Sequence, residues 1–293
     1  MNSQESVLLG LIGAGIQASL TPSLHEREGA EQGLRTIYKL IDLQQLGLGA
    51  EALPDLLLAA ERTGFQGLNI TFPCKQSVIP LLHELSDDAK ALGAVNTVVL
   101  RDGKRVGHNT DLSGYSENFR RGLADAKRDR VVLLGAGGAG SAVAHAAMQL
   151  GVARLTIFDT DQAKARQVAA DLTTRFGAGR AVAGTDLPAA IAEAEGVINA
   201  TPVGMAKFPG SPLPPVLLRP DLWVSEIIYF PMETELLARS RALGCRTLDG
   251  GGMAVFQAVH AFRLFTGLEP SVERMLAHFA ALRGIAVSPK DTP

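Results

Sequence analysis

Val131-Val-Leu-Leu-Gly135-Ala-Gly137-Gly138-Ala-Gly140, running into Ser141-Ala-Val-Ala-His-Ala-Ala-Met-Gln-Leu150, is the stretch whose reading decides the fold. The apolar run reads as a buried strand, the glycines as a tight turn, and the alanine-rich segment as a helix. Together they match the dinucleotide fingerprint G-x-G-x-x-G, in which a pyrophosphate rests on a helix N-terminus. Gly135, Ala136, Gly137, Gly138 and Ala139 are therefore candidate cofactor contacts. The next apolar strand, Leu155-Thr-Ile-Phe158, ends in Asp159, about 20 positions beyond Gly140, where a carboxylate accepts the ribose hydroxyls of NAD. An NADP site would instead want a cation for the 2′-phosphate. Here Asp161 adds a second negative charge, so the spacing predicts NAD over NADP. Two alternatives stay open: Asp159 caps the following helix, or Lys164 or Arg166 reaches back and weakens the preference.

The same fingerprint occurs earlier as Gly13-Ala-Gly15-Ile-Gln-Ala18. Behind it comes Ser19-Leu-Thr21-Pro22, and a proline inside a helix costs about 3 kcal/mol. The first copy therefore reads as a strand-to-loop turn. No Lys, Arg, Asp or Glu lies between Arg130 and Arg154, but glycines interrupt that run and exclude a membrane span.

Outward from the glycine loop, strands and helices alternate. On its N-terminal side, strands at 7–12, 35–43 and 67–71 alternate with helices at 22–32 and 53–62, followed by short helices at 75–82 and 87–92. Val95–Leu100 and Lys104–His108, joined by Asp102-Gly103, read as a hairpin at the sheet edge. A helix over 112–127 ends in the charged run Lys127-Arg128-Asp129-Arg130, a candidate domain junction. On the C-terminal side, strands at 155–158, 182–183, 196–200, 224–228 and 246–248 alternate with helices ending near Phe176 and Ala194. A proline-rich loop spans 209–220, helices over 254–266 and 272–282 follow the glycines 250–252, and Ser288–Pro293 should fray. This pattern implies α/β architecture with parallel sheets.

The chain has 293 residues, which suggests two domains at roughly 150 each. Hydrophobic residues make up 46% and charged residues 20%, enough for a packed core. A net charge of -2 gives no electrostatic case for nucleic acid or an anionic membrane. Cys74 and Cys245 are too few for a disulfide scaffold, the histidines show no metal spacing, and Glu5 stands where a secretory signal would carry a cation. A cytoplasmic setting is the expectation.

Nine short segments then carry a family resemblance: Gly10-Leu-Ile-Gly13, Ser19-Leu-Thr-Pro22, Asn69-Ile-Thr-Phe-Pro-Cys-Lys75, Gly93-Ala-Val-Asn-Thr97, Asn109-Thr-Asp111, the glycine loop, Asn199-Ala-Thr-Pro-Val-Gly-Met205, Tyr229-Phe-Pro231, and Gly252-Met253 with Gln257. In this order and spacing the chain resembles the shikimate dehydrogenase family, and within it the NAD-using quinate/shikimate branch. The resemblance implies an N-terminal substrate and catalytic domain with a mostly parallel sheet, over 1–111 and completed by helices in 254–293. It also implies a Rossmann-type NAD domain over 112–253, with a cleft between the two.

The implied reaction is reversible NAD-dependent oxidation of the 3-hydroxyl of shikimate or quinate, with Lys75 and Asp111 beside the reacting carbon. Such an oxidation needs a side chain that both accepts and returns the hydroxyl proton. A lysine does so near neutral pH where burial lowers its pKa, while a nearby carboxylate orients it and opposes that shift. A lysine and an aspartate that simply start helices are the plain alternative.

By the same resemblance, Ser19 and Thr21 bind the ring carboxylate, and Asn69, Thr71, Asn96, Asp111 and Gln257 meet ring hydroxyls. The alternative for Ser19 and Thr21 is a cap before Pro22. Thr201, Val203, Met205 and Gly250 join the cofactor set, with Met205 as an apolar contact for the nicotinamide; Tyr229 faces substrate or core. His108 and Cys74 lie beside these segments without an assigned role. Thr21 stands where the common biosynthetic pattern has serine, and Asp159-Thr-Asp161 where it has arginine, so quinate against shikimate stays open. An NADP-linked or aminoshikimate-type enzyme and a non-catalytic dinucleotide sensor are the rivals. A monomer or homodimer is expected, with no metal.

Overall fold

The computed structural model describes residues 6–284. The stretch Ser288–Pro293 lies outside them. The chain forms two compact units, one from the residues up to Thr110 with those from Val255 on, the other from Asp111 to Ala254.

The first unit runs β1 (Ser6–Gly13), α1 (Thr21–Glu31), β2 (Arg35–Asp42), α2 (Leu43–Leu46), α3 (Leu53–Arg62), β3 (Gly67–Ile70), α4 (Cys74–Ser77), β4 (Glu84–Leu85), α5 (Asp87–Leu92), β5 (Thr97–Arg101) and β6 (Lys104–His108). Its six-stranded sheet has the order β2-β1-β3-β5-β6-β4. Only β5 runs against its neighbours, pairing antiparallel with β3 and β6. β1 is apolar nearly throughout because both faces of the sheet are covered. On one face, Leu53, Leu57 and Ala60 of α3 recur at the helical period and pack with Ile12, Leu68 and Ile70. Each fully buried leucine there contributes about 1.5–3 kcal/mol. On the other face, Leu9, Tyr38 and Val99 pack against Ala261 and Phe265.

Asp102 (φ 53°) and Gly103 (φ 70°) give the hairpin its left-handed pair, as the Asp-Gly sequence predicts. The hairpin is not at the sheet edge, however: the short β4, missed in the sequence, pairs with β6 and takes that place.

The second unit contains α6 (Thr110–Gly122) from Asp111 on, β7 (Arg130–Leu134), α7 (Gly138–Gln149), β8 (Arg154–Phe158), α8 (Gln162–Phe176), β9 (Ala181–Ala183), α9 (Leu187–Glu193), β10 (Gly196–Asn199), β11 (Trp223–Glu226), α10 (Glu235–Ala242) and β12 (Arg246–Leu248). All pairings are parallel, in the order β12-β11-β10-β7-β8-β9. That is the doubly wound arrangement, whose ligands bind beyond the carboxyl ends of the strands.

α6 stops at Gly122 instead of Lys127: beyond it the Ala126 amide turns back to the Leu123 carbonyl at 3.1 Å, and the Lys127 carbonyl accepts the Trp223 indole N–H at 2.8 Å. The charged run 127–130 lies inside the second unit, which begins at Asp111. α10 was not anticipated, although Thr234 caps it through the Leu237 amide.

The closing helices are α11 (Gly250–Thr266) and α12 (Val272–Leu282). α11 starts at Gly250, within the glycine run, and not after it at Ala254 as the sequence suggests. A Cβ at Gly250 would meet the Ile227 carbonyl oxygen at 2.3 Å, so close approach overrides poor helix propensity. α12 is tied to α1 by Arg274, whose Nε and Nη2 donate to Glu28 at 2.8 and 2.6 Å. Among the described residues no helix is long and apolar enough to cross a membrane.

The early glycine pair has a clear structural role. The Gly15 and Ile16 amides donate to the Asp42 carboxylate at 2.8 and 3.1 Å, joined by Gln17 Nε2 at 3.0 Å. These hydrogen bonds hold the Asp42 carboxyl below its ordinary range, with Gln17 the largest contributor. A carboxylate from this chain thus takes the amides that a phosphate would need. Asp42→Ala is expected to lower Tm by a few degrees and leave dinucleotide Kd unchanged, as thermal melting and NADH fluorescence titration would show.

Candidate active site

In the first unit, the site residues gather where β1 and β3 end and β5 begins. Thr71 N–H donates to the Ile12 carbonyl at 2.9 Å, and Val95 N–H to the Lys75 carbonyl at 2.9 Å, which ties α4 to this end of the sheet. Lys75 is half-buried on α4. Asn69, on β3, accepts the Tyr38 hydroxyl at Oδ1 (2.7 Å), while its Nδ2 donates to Thr97 Oγ1 (3.1 Å) and the Asn96 carbonyl (3.3 Å). Its amide hydrogens are thereby engaged, so what Asn69 offers a ligand is acceptor capacity on Oδ1. Tyr38 was not anticipated; a tyrosine within an apolar strand reads as core.

Asn96 is buried and holds the start of α6, accepting the Thr110 amide at 2.7 Å. The next residue, Asp111, is 4% exposed in the first turn of that helix. Ser19 Oγ donates to Thr21 Oγ1 at 3.0 Å. Leu20 stands at the N-cap of α1 and makes no side-chain cap, while Ser19 Oγ accepts the amide of Thr21, the first residue of the helix, at 3.3 Å. Gln257 is half-buried on α11. Cys74 is buried with its thiol pushed up by burial, the opposite of a reactive thiolate. Burial pushes the His108 imidazole down, favouring its neutral form.

In the second unit, Gly135 (φ 98°) turns the chain out of β7, and a Cβ at Gly140 would meet the Gly135 carbonyl oxygen at 2.1 Å. The start of α7 therefore folds tightly against the strand end. Around Gly137 and Gly138 a Cβ would meet nothing within 4 Å, leaving the first turn of the helix approachable. First-turn amides and the helix dipole suit an anion there. The residues present thus fit a pyrophosphate.

Asp159 Oδ2 accepts the Ala136 amide at 2.7 Å and Oδ1 the Asp161 amide at 2.8 Å. The carboxylate is therefore pinned beneath the glycine loop. Asp161, rather than Asp159, caps α8 through the Ala163 amide at 3.0 Å. Lys164 lies 3.7 Å from Asp161, a surface pair of little strength.

The loop leaving β10 holds Thr201, Val203 and Met205, and Asn199 shapes it: Oδ1 accepts the Thr201 amide and hydroxyl at 2.9 and 2.7 Å, and Nδ2 donates to the Val203 carbonyl at 3.1 Å. A Cβ at Gly135 would meet the Ala200 carbonyl oxygen at 2.7 Å, so this loop starts beside the glycine loop. Met205 and Tyr229 are each 39% exposed, which takes Tyr229 out of the core. Gly250 opens α11 against the Ile227 carbonyl.

A glycine loop over a helix N-terminus, in a six-stranded parallel sheet of this order, defines a Rossmann-type unit; with the mixed α/β unit it makes a two-part α/β protein. Family models agree. One described as the shikimate dehydrogenase substrate binding domain matches residues 11–98, and one described as the shikimate 5′-dehydrogenase C-terminal domain matches 250–278. A ThiF family model matches 110–175, the stretch with the glycine loop.

A shikimate dehydrogenase (NADP(+)) of Streptomyces avermitilis is 58% identical, over 97% of this chain and 98% of its own. A quinate/shikimate dehydrogenase (NAD(+)) of Corynebacterium efficiens is 50% identical, over 96% of this chain and 100% of its own. The solved quinate dehydrogenase of Corynebacterium glutamicum in complex with NAD has a TM-score of 0.90 at 48% identity, covering 95% of this chain and 100% of that one. The chain belongs to the shikimate dehydrogenase family.

Proposed function

We propose that this protein oxidises the 3-hydroxyl of quinate and shikimate reversibly, with NAD as the preferred acceptor. Its relatives carry both NAD and NADP in their names, so the preference rests on this chain's own residues. One observation carries it: Asp159, held by the Ala136 amide, stands at the end of β8 with Asp161 beside it, and no cation takes their place.

When bound, NAD takes up the hydride. Lys75 accepts the proton from the hydroxyl oxygen as that carbon becomes a ketone, and returns it in the reverse direction. Asp111 orients the lysine and receives a ring hydroxyl. The Ser19 and Thr21 hydroxyls hold the ring carboxylate by charge-assisted hydrogen bonds. Asn69 accepts from a ring hydroxyl through Oδ1, the orientation Tyr38 imposes. Thr71, Asn96, Gln257 and Tyr229 complete the substrate set.

On the cofactor side, Gly135 to Ala139 receive the pyrophosphate, Asp159 the ribose, and Thr201, Val203, Met205 and Gly250 the nicotinamide end. The test is a kinetic comparison of quinate and shikimate, each with NAD and NADP. The expected result is turnover of both acids with a higher kcat/KM for NAD. Equal efficiency with the two cofactors overturns the preference, and an absence of NADH production with both acids overturns the activity.

A further inference from the structure

Asn199, which shapes the loop over 201–205, is itself held from below. Its Nδ2 lies 3.0 and 2.9 Å from the two carboxylate oxygens of Glu226, the last residue of β11. Glu226 is 1% exposed and also accepts the Ile227 and Ile228 amides at 3.0 and 3.1 Å and the Thr234 hydroxyl at 3.1 Å. Thr234 in turn caps α10 through the Leu237 amide. One buried carboxylate therefore joins the end of β10, the segment leaving β11 towards Tyr229, and the start of α10. Burying an unpaired anion is costly, and an apolar residue would satisfy the strand equally well. The cost has a use if the loops must hold one shape.

We propose that Glu226 is a positioning residue for the dinucleotide: acting through Asn199, it fixes the 201–205 segment in the shape that receives the nicotinamide end. This rests on the reading that places Thr201, Val203 and Met205 there. The groups facing the carboxylate are all neutral: Asn199 from β10, the two amides after β11, and Thr234 before α10. The neighbouring acids are turned to partners of their own, Glu233 to Arg241 and Glu235 to Arg239.

Burial raises the Glu226 carboxyl to about 7, so its protonation falls within the working pH range. A protonated carboxyl offers a donor where the surrounding groups also donate, which breaks at least one of these bonds.

The experiment is NADH binding followed by fluorescence from pH 6 to 8.5, without substrate, on the wild-type protein and on Glu226→Gln. In the wild type, Kd is expected to rise on the acid side of neutrality. In Glu226→Gln, whose amide sets a donor against Asn199 Nδ2, Kd should be raised about tenfold at every pH and the acid-side rise lost, from the loss of one or two buried hydrogen bonds. Thr234→Val, which removes one donor and keeps the charge, should raise Kd less and keep the pH step; it carries the test if Glu226→Gln does not fold.

Met205→Ala separates this proposal from the reading beneath it. If Met205→Ala raises Kd while Glu226→Gln and Thr234→Val leave it unchanged, the positioning role is overturned and the loop assignment stands. If Met205→Ala leaves Kd unchanged as well, the loop assignment fails.

Discussion

Lys75→Ala is expected to lower kcat by about three powers of ten in both directions, the range general acid-base groups contribute, while NADH Kd stays within about twofold. The two readouts separate because of where the residues sit. Lys75 belongs to the first unit, on α4 between β3 and the start of β5, whereas the glycine loop, Asp159 and Asn199 belong to the second. Losing the lysine side chain touches none of the hydrogen bonds that shape the cofactor loops. The fold should also survive, since the bond that ties α4 to the sheet here is made by the Lys75 carbonyl, not its amine. Stopped-flow and steady-state assays with quinate and NAD check the result. A kcat within about tenfold of wild type would remove Lys75 from the proton transfer.

How far the sequence could be read depended on the kind of interaction that sets each element. The Rossmann unit is legible because its strands are short and mostly apolar and β7, β8 and β9 are each followed by a helix, with the glycine loop marking the first of them. α11 was misjudged at its start because glycine is a poor helix former, and only the approach of Ile227 to Gly250 shows why it is wanted. The two-residue β4 has no signal of its own, being a strand only through its pairing with β6.

In the site, residue types within motifs were readable, but the residues that hold them were not. Asp42, Tyr38 and Glu226 act across long sequence separations, and none lies in a motif. Glu226 did leave a trace: an acid inside the apolar run Trp223-Val-Ser-Glu-Ile-Ile228 must be buried against something. Asp42 likewise closes an apolar strand opposite the first glycine pair, with which it pairs in the sheet as the partner of Gly13.

The second large effect concerns cofactor choice, and it should be read from Asp159→Asn. Two like charges about 5 Å apart repel by roughly 3 kcal/mol at an effective dielectric of about 20, which is about two powers of ten in relative affinity before screening. The asparagine keeps an oxygen for the Ala136 amide but sets a donor against the Asp161 amide, so the bond to the glycine loop is preserved while one bond on the far side is lost with the charge. The ratio of kcat/KM for NAD to that for NADP should therefore fall by up to about two powers of ten. The effect should shrink as salt is raised, because Thr160 and Asp161 beside Asp159 are exposed to solvent and the Debye length is about 8 Å near physiological ionic strength.

Asp161→Asn should do less. That side chain is exposed, faces Lys164 and is spent on capping α8, so its charge is already partly countered. Asp159 instead accepts from neutral groups, the Ala136 and Asp161 amides and the Thr160 hydroxyl. If Asp159→Asn leaves the cofactor ratio unchanged while Asp161→Asn collapses it, the discriminating charge is the cap of α8 and not the carboxylate beneath the glycine loop.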